Sequence, residues 1–245
     1  AVPPAAAPVK PGSWLSPQRG WGLYDVANSS YVMVCQTFLL PLYFTTVLAG
    51  ADQLMQWGLV AGLSALLGAL LALGLGKLAD RAPYGWHRLR LFQAVVGLTT
   101  LGTVAVAVCV AWAPAWVPWV YLVTNSFFIA SLGLSDGFLP FLARRPNSGF
   151  QTSGLAWGLG YIGSLVALIG VLVLQKVFGE FTPLSFLAVA VFYVAFSALA
   201  CRALGQLNWH TAPRPTVEDT TAQRLPLKHR GVFLLGAWLV MECVT

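Results

Sequence analysis

Six stretches of this sequence are apolar for long enough to cross a lipid bilayer, and no other feature restricts the fold as strongly. A helix rises 1.5 Å per residue, so the hydrocarbon core takes about 20 residues. The stretches cover residues 22–48, 54–76, 91–111, 117–142, 154–175 and 183–201. Only 9% of the residues are charged, against roughly 25% in a soluble domain. The hydrophobic share is 58% and the mean hydropathy +0.73. The reading is an all-α polytopic membrane protein.

A seventh apolar run begins at Gly231 and reaches Thr245, too short to cross, and the first residue is not Met. The expectation is therefore a piece of a longer chain. Residues 1–20 are rich in Pro and Ala without an apolar core, which predicts a disordered cytoplasmic tail rather than a signal peptide. Residues 21–203 form the six-helix bundle. Residues 204–230 hold three prolines and read as a cytoplasmic linker, and 231–245 as the start of a seventh transmembrane helix.

The net charge of +6 does not point to nucleic acid. With a cytoplasmic amino terminus, alternation of the spans puts every Lys and Arg except Lys176 on the cytoplasmic side. The positive-inside rule accounts for that asymmetry without a polyanionic partner. Cys35, Cys109 and Cys243 lie in apolar runs and Cys201 at the end of one. No pair has metal-ligand or redox spacing, so no metal or cofactor is expected. Arg-rich, Lys-poor and Ala-rich usage favours a bacterial cytoplasmic membrane over a vacuolar one.

The first span departs from plain hydrocarbon chemistry. In WGLYDVANSSYVMVCQTFLLPLYF, at 100° per residue, Asp25, Ser29, Val32, Gln36 and Tyr43 share a narrow arc, with Asn28 on its edge. A central Asp costs about 2.5 to 3.5 kcal/mol by insertion measurements, so such residues face a bundle interior or a wet cavity. The bland alternative is an interfacial Asp25, with Asn28 and Ser29 as interhelical hydrogen-bonding groups. On the fourth span Asn125 and Asp136 stand three turns apart on one face. Asp136 lies roughly 12 Å inside the basic boundary at Arg144.

Several strings resemble one family. L-Y-D-V-A-N-S-S-Y followed by T-F-L-L-P-L-Y-F is similar to the opening signature of the vacuole-effluxer-like (autophagy-related amino-acid effluxer) branch of the major facilitator superfamily. Those proteins usually carry Trp where Val26 stands, and Tyr-Asn where Ser135 and Asp136 stand; against the resemblance, the second departure fits a changed cavity, a changed coupling ion or a structural pair of Asp136 with Arg81. G-K-L-A-D-R at Gly76 to Arg81 resembles the superfamily's loop motif between the second and third helices. S-G-L-A-W-G-L-G-Y-I-G at Ser153 to Gly163 resembles the branch's fifth-helix signature.

The resemblance implies the amino-terminal six-helix half of a twelve-helix secondary transporter. It implies a solute site near the bilayer midplane, opened alternately to each side, and export of neutral amino acids or similar small solutes. Asp25, Asn28, Ser29, Gln36, Asn125 and Asp136 are the candidate cavity or coupling residues, with protons as a candidate coupling ion. Asp80 ends the second helix against its own macrodipole and so expects a partner. The resemblance makes that partner a helix of the other half with nearby arginines, Arg81 being the local candidate, in a cytoplasmic gate. For Arg88 and Arg90, topology alone is the preferred reading.

Gly158, Gly160 and Gly163 spell G-x-G-x-x-G, but inside an apolar span rather than between a strand and a helix, which removes the dinucleotide reading. Together with Gly154, and with Gly58 and Gly62 on the second span, they read as surfaces for close helix packing. Among rival classes, an enzyme lacks support because His87, His210 and His229 all fall in segments that the sequence predicts as loops. A non-transporting scaffold or receptor would share the topology, yet it has no use for a polar stripe at mid-depth. The expected partners are the lipid bilayer, a small solute and the remainder of the same chain.

Overall fold

The computed structural model describes residues 15–48, 52–81, 86–142 and 148–207. The linker and the seventh apolar run lie outside them. Throughout the described residues the regular structure is helical. Among the described residues five helices are long and apolar enough to cross a membrane: Gln53–Arg81, His87–Trp112, Pro114–Asp136, Gly154–Phe178 and Pro183–Leu204. The first predicted span is a rod in three parts: α1 (Pro17–Tyr31), a π-helical segment (Val32–Leu39) and α2 (Leu40–Thr46). Then follow α3 (Gln53–Arg81), α4 (Trp86–Trp112), α5 (Val117–Asp136), the single turn α6 (Leu139–Leu142), α7 (Ser148–Phe178) and α8 (Pro183–Leu204). The described residues form an all-helical bundle of polytopic membrane type.

Local chemistry sets several ends. Ser16 accepts a hydrogen bond from the Arg19 backbone N–H at 3.3 Å, and Pro17 follows at the first helical position. Thr182 and Pro183 repeat the arrangement at the start of α8, with Thr182 accepting from the Leu184 N–H at 3.4 Å. The fourth predicted span ran to 142, but α5 stops at Asp136 and the chain turns at Gly137. Between α7 and α8, Gly179 takes φ +96°, a conformation that glycine adopts without penalty.

Neighbours follow the order α3, α5, α4, α8, α1, α7. Lipid tails are as apolar as leucine, so burial alone supplies little drive, and tight packing and hydrogen bonds hold such a bundle. The interior accordingly holds rings and hydroxyls. Tyr31 stacks on Phe128 at 4.3 Å and Tyr24 meets Phe92 edge-on at 4.8 Å. The Tyr24 hydroxyl lies 2.5 Å from Ser131 Oγ, and each of these is 3.4 Å from the Tyr193 hydroxyl. Many leucines, particularly on α3, point outward instead: Leu54 is 72% and Leu101 68% exposed, as a surface facing hydrocarbon requires.

The glycines divide. A Cβ on Gly163 would collide with Val26 of α1, and one on Gly160 would sit 2.6 Å from Ser29 Oγ and 3.2 Å from the Asp25 backbone oxygen. At Gly58, Gly62, Gly154 and Gly158 a Cβ would meet nothing within 4 Å. The expectation of close packing at those four is corrected among the described residues. α3 turns its Ser64 and Gly68 face to α5, and α7 turns its Ala156, Gly160 and Gly163 face to α1.

Candidate functional site

The first rod and α5 run antiparallel, and each carries two polar residues eleven positions apart, about 16 Å along the axis. The matched spacing produces two polar levels. At the basic end Asp25 and Asp136 line one cavity of about 120 Å³, together with Trp21, Tyr24, Asn28, Ser135 and Trp157. Deeper in the bundle the Gln36 amide donates to Asn125 Oδ1, and Asn125 Nδ2 donates to Ser64 Oγ at 2.8 Å.

The walls of the cavity are fixed from behind. Trp21 Nε1 donates to the Ser135 carbonyl at 3.0 Å, and Tyr24 is tied to Ser131. Asp25 is half-buried against Gly160, whose missing side chain leaves room for the carboxylate beside α7. Asn28 Nδ2 is 3.4 Å from Asp25 Oδ1, a long contact. Asp136 is exposed toward the opening. Among the described residues neither carboxylate has a basic partner, and Arg81 is not paired with Asp136. Two carboxylates facing one space favour whatever positive charge enters it.

The deeper level works differently. Asn125 is almost fully buried, and Ser126 Oγ donates to the Ser64 carbonyl at 3.1 Å, so α3 and α5 are joined twice. Gln36 brings in the first rod. The chain crosses three helices, so its groups satisfy one another rather than lining open space. Replacing Asn125 by Leu is expected to lower the stability of detergent-solubilised protein by about 1 to 2 kcal/mol. The double variant Gln36→Leu/Asn125→Leu should recover part of that loss, because removing both partners leaves fewer unmet groups. A thermal-denaturation double-mutant cycle reads the coupling.

The polar residues read from the sequence fall at two levels. Asp25, Asn28 and Asp136 come together, Ser29 faces Gly160, and Gln36 joins Asn125. Tyr43 is buried and packs edge-on against Phe181 at 5.6 Å. Ser64, Trp21 and Trp157 escaped the sequence reading. Ser64 had a signal, as a hydroxyl alone in a Leu, Ala and Gly run.

At the same end Asp80 pairs with Arg88, not with Arg81. Arg81 is exposed, whereas the Arg88 side chain is buried and lies over Gly137, where a Cβ would meet its guanidinium. Arg88 is therefore a structural cation as well as a topological one. The reason is geometric: α4 folds back beside the end of α3, and the partner comes from across the loop rather than from the next residue.

These features define a class: an all-helical integral membrane protein with an acidic cavity opening at its basic end. No family model matches the sequence, and no solved structure matches it. Among curated proteins it is similar to the uncharacterized MFS-type transporter YxiO of Bacillus subtilis (strain 168), with 27% identity over 182 residues. The match covers 69% of this chain and 40% of YxiO, so the chain spans well under half of that relative. The likeness supports the major facilitator superfamily.

Proposed function

We propose that the chain is the amino-terminal half of a secondary transporter that exports small solutes by alternating access. The observation that carries this reading is the pair Asp25 and Asp136, facing one cavity with no basic partner among the described residues. Carboxylates are costly in a membrane-spanning helix and are kept where they handle charge. Asn28 and Ser29 extend the polar surface, and Gln36 with Asn125 marks its deeper limit. Asp80 with Arg88, and Arg81 beside them, form the cytoplasmic gate.

The effluxer resemblance favours neutral amino acids. Their α-ammonium suits the acidic pair, and the solute carboxylate would then be met by the other half of the chain. Protons are the coupling ion of this reading, and the bacterial cytoplasmic membrane is the location.

The test is reconstitution of the full-length product in proteoliposomes, with uptake of labelled neutral amino acids measured with and without an imposed proton gradient. Gradient-dependent uptake supports the reading. Absence of uptake and of counterflow for neutral amino acids and for simple amines overturns it, and moves a membrane scaffold or receptor ahead.

A further inference from the structure

The acidic cavity has aromatic walls as well as negative charge. Trp21, Tyr24 and Trp157 line it together with Asp25 and Asp136, and its lining includes no Lys, Arg or His. Carboxylates alone suit any cation. Aromatic rings narrow the choice, because their faces attract a cation while their carbon surface favours one that is weakly hydrated.

Two of the three rings are set in place before any solute arrives. Trp21 is buried, and its Nε1 donates to the Ser135 carbonyl at 3.0 Å. Tyr24 is buried too, with its hydroxyl 2.5 Å from Ser131 Oγ and its ring edge-on to Phe92 at 4.8 Å. Side chains held from behind lose little freedom on binding, so less affinity is spent on ordering them. Trp157 differs. It is 58% exposed and meets Tyr161 edge-on at 6.3 Å. Anchoring at the membrane interface explains an exposed Trp near the end of a span, but not its place in the wall of a cavity that holds two carboxylates.

The lining also discriminates between kinds of ammonium. A primary ammonium carries three N–H donors, and each one that loses water without gaining an acceptor costs free energy. A methylated ammonium has fewer donors or none, and its methyl groups can pack on the rings and on Leu132 and Leu139, which line the same space. The volume of about 120 Å³ is well below the roughly 300 to 1,000 Å³ of pockets that enclose drug-sized ligands. The space suits a head group.

We infer that the cavity is a subsite for a methylated ammonium head group. Asp25 and Asp136 hold its charge, and Trp21, Tyr24 and Trp157 contact its methyl groups. The inference rests on the reading of this cavity as a solute site, and it narrows the occupant to choline-like amines and N-methylated amino acids.

The experiment is equilibrium binding of labelled choline to the full-length protein in nanodiscs, with tetramethylammonium and ethanolamine as competitors. Ethanolamine is choline without its methyl groups. Tetramethylammonium should displace choline, and ethanolamine should bind about 10-fold more weakly. Trp157 is exposed, so Trp157→Leu should fold. It is expected to weaken choline about 5-fold and ethanolamine by less than about twofold, and Trp157→Phe should restore most of the difference. A membrane anchor would move both amines alike. The inference is overturned by an absence of saturable choline binding, by ethanolamine binding as tightly as choline, or by equal losses for both amines in Trp157→Leu. The first two results need no variant. Choline binding without any solute uptake would remove the transport reading and leave the subsite standing, whereas amino-acid uptake that excess choline does not inhibit would keep transport and overturn the subsite.

Discussion

Asp25→Asn is expected to weaken solute uptake by full-length protein in proteoliposomes by about 10- to 100-fold. A hydrogen bond to a charged group contributes about 1.5 to 3 kcal/mol, and 1.4 kcal/mol is a factor of ten in affinity. Asn keeps the shape and one acceptor of the side chain while removing its charge. Neutralising a carboxylate in a membrane-spanning helix also eases insertion, so the variant should express at least as well as the wild type. Better folding with poorer uptake is the signature of a functional acid, and a packing residue would show the reverse. Asp136→Asn should act in the same direction, because the two acids line one cavity. Counterflow separates two roles: if exchange survives while gradient-driven uptake is lost, Asp25 couples charge movement, and if both fall, it holds the solute. Unchanged uptake in the double variant would sink the assignment of the cavity.

Gly163→Leu is expected to destabilise the bundle strongly. Even a Cβ at this position collides with Val26, and the Val26 Cα is 3.4 Å from the same point, so the side chain cannot simply swing aside. Overpacking typically costs about 1 to 3 kcal/mol, and the larger side chain places the effect at the upper end. The strain falls between α1 and α7, next to Asp25, so the cavity should widen as the melting temperature drops. Gly158→Leu supplies the control. It lies on the same helix only five residues away, yet nothing is within 4 Å of its added Cβ. Little change is expected there, and equal losses at both positions would show that α7 packs differently.

The contrast between those two glycines also shows what a sequence conveys. Spans were legible because hydropathy accumulates over about 20 residues and tolerates local error. Which side of a span packs is decided by phase, and Gly58, Gly62, Gly154 and Gly158 carry the same small-residue pattern as Gly160 and Gly163. Asp25 and Asp136 were legible as costly residues in apolar runs, and the structure brings them to one cavity. The link from Gln36 to Asn125 was not, because each span was read by itself, whereas the antiparallel register that sets the first rod against α5 is decided by packing. Asp80 was assigned the nearest arginine along the chain, whereas the loop delivers Arg88 in space. Ser64 emerged only when α3 was set against α5.

The hydroxyl contacts among Tyr24, Ser131 and Tyr193 give the molecule an uneven distribution of stiffness. They join α1, α5 and α8 beside the acidic cavity, and rings from α4 and α5 close around them. The lower part of the first rod is held like a stator by these hydroxyls, while its upper part is held by buried apolar side chains such as Leu39 and Phe44, with the Gln36 amide as its side-chain hydrogen bond to α5 among the described residues. Heat or a solute that loosens this protein should therefore act first above Tyr31, and hydrogen exchange along a single continuous rod should change abruptly at that residue.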